Sequence, residues 1–370
     1  MTGADEKMKD RFIGCLLGGA VGDALGAPVE FMSGPEITRM FGNDGARDFL
    51  PAYGRKGAIT DDTQMTLFTA EGLIRGYTRF QDRGIGPSFA STVGHAYSRW
   101  LTTQGLQPAA EILQGHDGWL IGNRALHHAR APGRTCLGAL QAKGSWEVKA
   151  VNDSKGCGGV MPVAPVGMLY RLVEGNQEEA LRDAFHLACN LAALTHGHPT
   201  GYLSAGVMAA VVLLVLHDVS IDEALARIRP ILGSVPQHEE TLKAIDRAEE
   251  FALDRALAPV EAIRSLGEGW IAEEALAIGL YCAMKAKDLE EGIILAASHG
   301  GDSDSTGSIA GNLLGATMGT AAIPLRWLNA LEMREVIEEI ATDMAELTSW
   351  EIGDDNGKDS DRIYAKYPPN

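Results

Sequence analysis

Two short acidic runs lie far apart in the chain, Thr60-Asp61-Asp62-Thr63 and Asp302-Ser303-Asp304-Ser305-Thr306. Each packs carboxylates and hydroxyls into a few residues, with no lysine or arginine among them. If the fold brings them together, four carboxylates repel one another, and a bound hard cation is the simplest way to make that meeting favourable. The donors are all oxygen, with no cysteine or histidine inside either run, which suits Mg²⁺, Mn²⁺ or Ca²⁺ better than Zn²⁺. Each run also reads as a helix N-cap. An apolar-periodic stretch begins near Met65, and a helix carrying Gly307, Gly311 and Gly315 follows Thr306. Yet one residue suffices to cap one helix, and adjacent aspartates between threonines exceed that need.

Two familiar motifs begin the same way and fail further on. Asp302-x-Asp304-x-Thr306-Gly307 opens like a calcium loop, but its twelfth position is Leu313, where a bidentate glutamate belongs. It also opens like the D-x-D-x-T nucleophile motif of haloacid-dehalogenase-type phosphatases. Those enzymes need a preceding parallel strand and a long α/β domain downstream, whereas 64 residues follow Thr306. Neither a P-loop nor a dinucleotide fingerprint is present.

The elements that must position these residues read as helices. In 370 residues, 45% are hydrophobic, only 6% are aromatic and 44 are glycine, which points to close helix packing on small side chains. Period-3.6 patterns run over Phe12–Leu25, Gln64–Arg75, Pro87–Trp100, Glu178–Leu194, Gly201–Leu216, Ile221–Arg229 and His238–Leu257. They continue over Glu273–Met284, Leu289–Ala297, Thr306–Met318, Pro324–Ala330 and Met333–Leu347. Pro87 is expected in the first turn of its helix, where its missing N–H costs nothing. Gly18, Gly22 and Gly26 recur every fourth residue, a flat stripe against which another helix can lie. Strand-like alternation is absent. The expectation is an all-α fold: one orthogonal helical domain over residues 10–350, with long loops around a central cleft and a loose tail at 351–370.

Charge and cysteine usage narrow the function classes. Forty-nine acidic residues against 32 basic ones give a formal charge of -17, which repels a phosphate backbone and argues against nucleic acid. Five cysteines without a C-x-x-C offer neither a thiolate zinc site nor a disulfide framework. No secretory leader or spanning segment is evident, so a cytoplasmic protein is expected.

The segments GCLLGGAVGDALGAPVE (Gly14–Glu30), ITDDTQM (Ile59–Met65), SKGCGGVMPVAPVG (Ser154–Gly167), LTHGHP (Leu194–Pro199) and HGGDSDSTGSIAGNLLGATMG (His299–Gly319) occur in that order. Together they resemble the ADP-ribosylglycohydrolase family, across most of residues 12–320. That resemblance implies an all-helical hydrolase that removes ADP-ribose from modified protein side chains through two Mg²⁺ or Mn²⁺ ions. The implied ligands are Thr60, Asp61, Asp62, Asp302, Asp304 and Ser305, the last standing where relatives commonly carry threonine. Glu30, Asp61 and Asp304 are the implied catalytic carboxylates. Gly156, Cys157, Gly158, Gly159, Val160 and Met161 resemble the loop that wraps ADP-ribose, with His196, or less well His198, in the same cleft. His299 is expected to orient a carboxylate, and Asp117, near Trp119 in the loop Gly115–Gly122, is a candidate for reading a substrate guanidinium. Pro162 replaces a frequent arginine. The implied partners are an ADP-ribosylated protein, most simply on arginine, free ADP-ribose as product, and an ADP-ribosylating toxin if the chain serves immunity. Hydrolysis of O-linked ADP-ribose on serine or an acetyl ester, and a catalytically silent binding protein, are the alternatives.

Overall fold

The computed structural model describes residues 3–369 apart from 85, 87, 110–116, 174 and 354–356. The expected positions of Pro87, of Gly115 and of Asp354, Asp355 and Asn356 therefore lie outside the described residues. In chain order the helices are α1 (Gly3–Gly26), α2 (Gly34–Phe41), α3 (Asp61–Arg83), α4 (Phe89–Thr103), α5 (Arg134–Gln141) and α6 (Ala164–Arg171). There follow α7 (Gln177–Ala192), α8 (Pro199–Val215), α9 (Ile221–Gly233), α10 (Glu239–Leu253), α11 (Pro259–Leu266) and α12 (Ala272–Lys285). The last are α13 (Leu289–Ala297), α14 (Ser303–Met318), α15 (Leu325–Leu328), α16 (Arg334–Glu346) and α17 (Ser360–Lys366). The only strand pair among the described residues is β1 (Pro51–Ala52) with β2 (Arg55–Lys56), joined through Tyr53 and Gly54 at φ of 50° and 84°. The protein is all-α with minimal sheet.

One helix pair sets the position of the site. Gly14, Gly18, Gly22 and Gly26 of α1 face Gly315, Gly311, Gly307 and Ser303 of α14, so the two helices run antiparallel in near backbone contact. A Cβ at Gly18, Gly22 or Gly26 would overlap a carbonyl oxygen of α14. The residues after Gly26 are thereby brought against the first turn of α14. Around this pair α12, α13 and α16 pack, while α3 lies against α4 and α16. Helix α8 is buried on every side along its length, which explains why its sequence carries no amphipathic stripe.

Three expectations need correction. Helices α3 and α14 begin at Asp61 and Ser303, not at Gln64 and Thr306, so the acidic runs form the helix starts themselves. Four eight-residue helices, α2, α5, α6 and α11, occupy segments without a helical assignment from the sequence. Two turns are too short for a periodicity to register. The tail is not loose throughout. Residues 360–366 form α17, burying Ile363 and Tyr367 completely, because that segment has apolar side chains at helical spacing.

Candidate functional site

Thr60 ends an extended segment and caps α3, its side chain accepting the amide of Asp62 at 3.3 Å. Asp61 and Asp62 occupy the first turn, where the helix N-terminus favours negative charge. Asp302 precedes α14 but makes no side-chain cap bond. Instead it accepts the Cys157 thiol at 2.7 Å. Capping thus accounts for Thr60 and leaves Asp302 unexplained.

The two runs meet. The Ser305 hydroxyl donates to Asp62 Oδ1 at 2.9 Å, bridging 243 residues of sequence. Glu30 joins them: one oxygen each from Glu30, Asp302 and Asp304 lies within 4.8 Å of the others. All of these carboxylates are buried, and among the described residues no lysine or arginine pairs with any of them. Burial raises the proton affinity of each, and neighbouring charges add to it at Glu30, Asp61, Asp62 and Asp304. Glu30 is pushed up to about 8 by desolvation and by Asp302, Asp61 and Asp23. Asp61, Asp62 and Asp304 rise well above the ordinary carboxylate range, desolvation leading in each case. Glu30 Oε2 has no hydrogen-bond partner although it is buried. An unpaired buried oxygen beside an all-oxygen donor set fits a hard divalent cation, and an Asp, Glu, Ser and Thr set of this kind is its usual environment.

The sequence reading missed Asp23. It is fully buried and accepts the amides of Thr60 (3.0 and 3.1 Å) and Thr63 (3.2 Å) as well as the Thr63 hydroxyl. One side chain of α1 therefore fixes the start of α3. A usable signal existed, because Asp23 is the only charged residue between Phe12 and Val29. Burial raises it to about 6 against its own hydrogen bonds. The other side of the same loop is held by a buried ion pair. Arg130 binds Glu332 twice at 3.2 Å, while Glu332 accepts the Ile59 amide and the Arg130 carbonyl accepts that of Asp61. Nothing local in the sequence marks that pair.

The glycine loop lies against the centre. Cys157 contacts Asp302, and its thiol is held protonated by burial and by Asp302 and Asp62, so it is no nucleophile. Several loop amides are already engaged: Gly156 with Ser154 Oγ, Cys157 with the Trp270 carbonyl, Val160 and Met161 with the Cys157 carbonyl. The expected wrapping of a ligand by this whole run of amides is therefore reduced. His196 is buried beneath the loop, its ring against Gly156, Gly158 and Gly159, and Nδ1 pairs with Thr195 Oγ1 at 2.9 Å. Burial lowers it to about 4, so it stays neutral. His198 accepts the Thr200 amide at the start of α8. Pro162 lies in the buried turn before α6.

Beside the loop opens a cavity of about 560 Å³ lined by Arg134, Thr135, Lys143, Lys149, Asn152 and Ser154. It begins one residue from the carboxylates, since the Gly133 amide donates to Asp61 Oδ2 at 3.1 Å. Arg134 and Thr135, in the first turn of α5, line this passage.

Two expected residues are placed elsewhere. His299 Nε2 meets the Thr306 hydroxyl at 2.8 Å and no carboxylate. Asp117 is paired with Arg75, through Oδ1 at 2.9 Å and its carbonyl at 3.1 Å. Trp119 packs edge-on against Tyr367.

Residues 4–352 match the family model described as ADP-ribosylglycohydrolase. The chain belongs to the ADP-ribosylglycohydrolase family. An Archaeoglobus fulgidus protein is 31% identical over 92% of this chain and 97% of its own length. The ADP-ribosylarginine hydrolase Tri1 of Pseudomonas putida is 22% identical, over 92% of this chain and 79% of its own. Among solved structures, an ADP-ribosylglycohydrolase-related protein complex matches with a TM-score of 0.67 and 26% identity, over 93% of this chain and 99% of that one. No described helix of this member is long and apolar enough to cross a membrane.

Proposed function

We propose that this family member releases ADP-ribose from ADP-ribosyl-arginine on protein, using a pair of Mg²⁺ or Mn²⁺ ions. The observation that carries the reading is the buried meeting of Glu30, Asp302 and Asp304, beside the Ser305–Asp62 hydrogen bond, with no lysine or arginine paired to them among the described residues. The residues that would hold the ions are Thr60, Asp61, Asp62, Asp302, Asp304 and Ser305. When bound, such ions polarise the ribose hydroxyls and make water a better nucleophile.

The chain's own groups supply the rest. Carboxylates clustered around the ribose favour the oxocarbenium-like transition state of glycosidic cleavage over the neutral ground state. The unpaired Oε2 of Glu30 is the oxygen available to take a proton from attacking water. The Gly133 amide is taken by Asp61, but the neighbouring cavity has the volume for the adenosine end and the Arg134 and Lys149 charges for the diphosphate. Arginine as the linkage draws support from the name of the Pseudomonas relative.

The test is hydrolysis of ADP-ribosyl-arginine, ADP-ribosyl-serine and O-acetyl-ADP-ribose, with divalent ions and with chelator. Metal-dependent release from arginine is expected, and Asp304→Ala should lower it by more than the roughly 10- to 100-fold that loss of a residue merely supporting a metal ligand costs. Full activity of that variant overturns the ligand scheme, and turnover of O-linked substrates alone overturns the linkage.

A further inference from the structure

Phe31 follows buried Glu30 and is 76% exposed, which puts a large apolar ring at the surface one residue from the carboxylate cluster. It stacks on Trp270, itself 38% exposed, with centroids 5.9 Å apart and planes 19° from parallel. Both rings are tied to the site through the backbone. The Trp270 carbonyl accepts the Cys157 amide at 3.2 Å, and Glu268, two residues earlier, accepts the Asp302 amide at 2.8 Å. The pair therefore stands at the rim of the carboxylate centre, flanked by Glu30 on one side and by Cys157 and Asp302 on the other.

What the rings receive follows from chemistry. The cavity suited to adenosine is lined by residues between Arg134 and Ser154 and includes neither ring, which leaves the group departing from the ribose. The five carboxylates Glu30, Asp61, Asp62, Asp302 and Asp304 exceed the four charges of two divalent ions, which favours a positive group at this rim, and an aromatic face favours a flat one. A guanidinium is both. It stacks on a ring while its N–H groups stay free for carboxylates in its plane. The protein shows the same geometry nearby, where the Arg130 guanidinium lies 5.0 Å over Tyr53.

We propose that the Phe31–Trp270 pair is the specificity element of this site, taking the guanidinium of the leaving arginine against Phe31. The inference rests on the ADP-ribosyl hydrolase reading above and deepens it. The experiment compares wild type, Phe31→Ala, Phe31→Tyr and Trp270→Ala as full-length, Mn²⁺-loaded proteins. Free ADP-ribosyl-arginine and O-acetyl-ADP-ribose are the substrates, and ADP-ribose affinity by calorimetry reports an intact fold. Phe31→Ala should raise KM for ADP-ribosyl-arginine and lower the arginine-to-acetyl ratio of kcat/KM by about 2- to 30-fold, the range of a cation–π contact. Phe31→Tyr should restore that ratio. If wild type cleaves the arginine substrate and Phe31→Ala keeps the wild-type ratio, the inference falls while the hydrolase reading stands. An effect confined to a modified protein, absent with free ADP-ribosyl-arginine, assigns the rings to protein docking and also overturns it. Failure of wild type on arginine overturns the linkage and this inference together.

Discussion

Glu30 holds one buried oxygen without a hydrogen-bond partner, and leaving such a group unpaired costs about 1–3 kcal/mol. Its raised proton affinity has a consequence for stability. Without divalent cations the folded protein keeps a proton up to about pH 8 that the unfolded chain loses near its ordinary value of 4.5. The stabilising contribution is complete below the lower value and disappears as pH rises through the upper one. Asp23 acts in the same direction between its ordinary value of 3.8 and about 6. Metal-free protein should therefore melt at progressively lower temperature from about pH 5 to about pH 8.5, and Glu30→Gln should flatten the upper part of that slope. Saturating Mn²⁺ should flatten it too, because the ion favours the ionised form. Calorimetric melting across this range checks the point, and an identical slope in Glu30→Gln would show that Glu30 titrates normally. At this scale the sequence was legible where chemistry is crowded locally, as in Asp61-Asp62 and Asp302-x-Asp304. It was illegible where one residue acts across the fold. Asp23, Arg130 and Glu332 organise the same loop from three distant positions, and no spacing announces such an arrangement.

The pairing of α1 with α14 carries the site because glycine removes the side chains that would hold the two backbones apart. The fourfold spacing of Gly18, Gly22 and Gly26, and of Gly307, Gly311 and Gly315, was readable, since i and i+4 share a helix face. Which stripe met which was not, because the pairing spans nearly the whole chain. The starts of α3 and α14 were also misplaced, since aspartate and serine have low interior helix propensity but favour the first turn. Gly22→Ala would drive a methyl group into the Gly307 carbonyl, where neither helix backbone can yield without moving its neighbours. The expected cost is about 1–3 kcal/mol or more, the range for overpacking, with weakened metal binding because α14 carries Asp304. Gly233→Ala at the end of α9 is the control, as its added methyl meets open space and should be neutral or mildly stabilising by about 0.4–1 kcal/mol. Thermal melting and metal titration of both variants test the argument. Equal stability of the two would mean that the α1–α14 contact relaxes freely.

Across the whole molecule the C-terminal segment acts as a clasp. Tyr367 is fully buried, donates to Asp343 at 2.6 Å, stacks on Trp350 and receives the edge of Trp119. Lys366 lies 4.1 Å over the Trp119 ring and pairs with Asp343 and Glu339. Tyr364 reaches Asp82 near the end of α3 at 2.9 Å. One short helix thus ties α16 to α3 and to the residues around Trp119, both more than 200 positions earlier in the chain. The segment looked loose in sequence because acidic and glycine residues precede it, and its few apolar side chains gain value only against partners elsewhere. Deleting residues 360–370 removes these contacts without touching any carboxylate of the centre. Loss of a buried aromatic alone costs about 3–5 kcal/mol, which at about 2–4 °C per kcal/mol for large domains lowers the melting temperature by roughly 6–20 °C. Trp119 and Trp350 would become solvated, so tryptophan emission should shift to longer wavelength in the folded baseline. Mn²⁺ should still raise the melting temperature of the truncated protein, because the proposed ligands lie at the starts of α3 and α14, and Asp23, which holds the start of α3, lies on α1. An unchanged melting temperature and emission would show that the helix merely rests on the surface. Loss of the Mn²⁺ effect together with stability would show that the clasp and the metal centre form one cooperative unit.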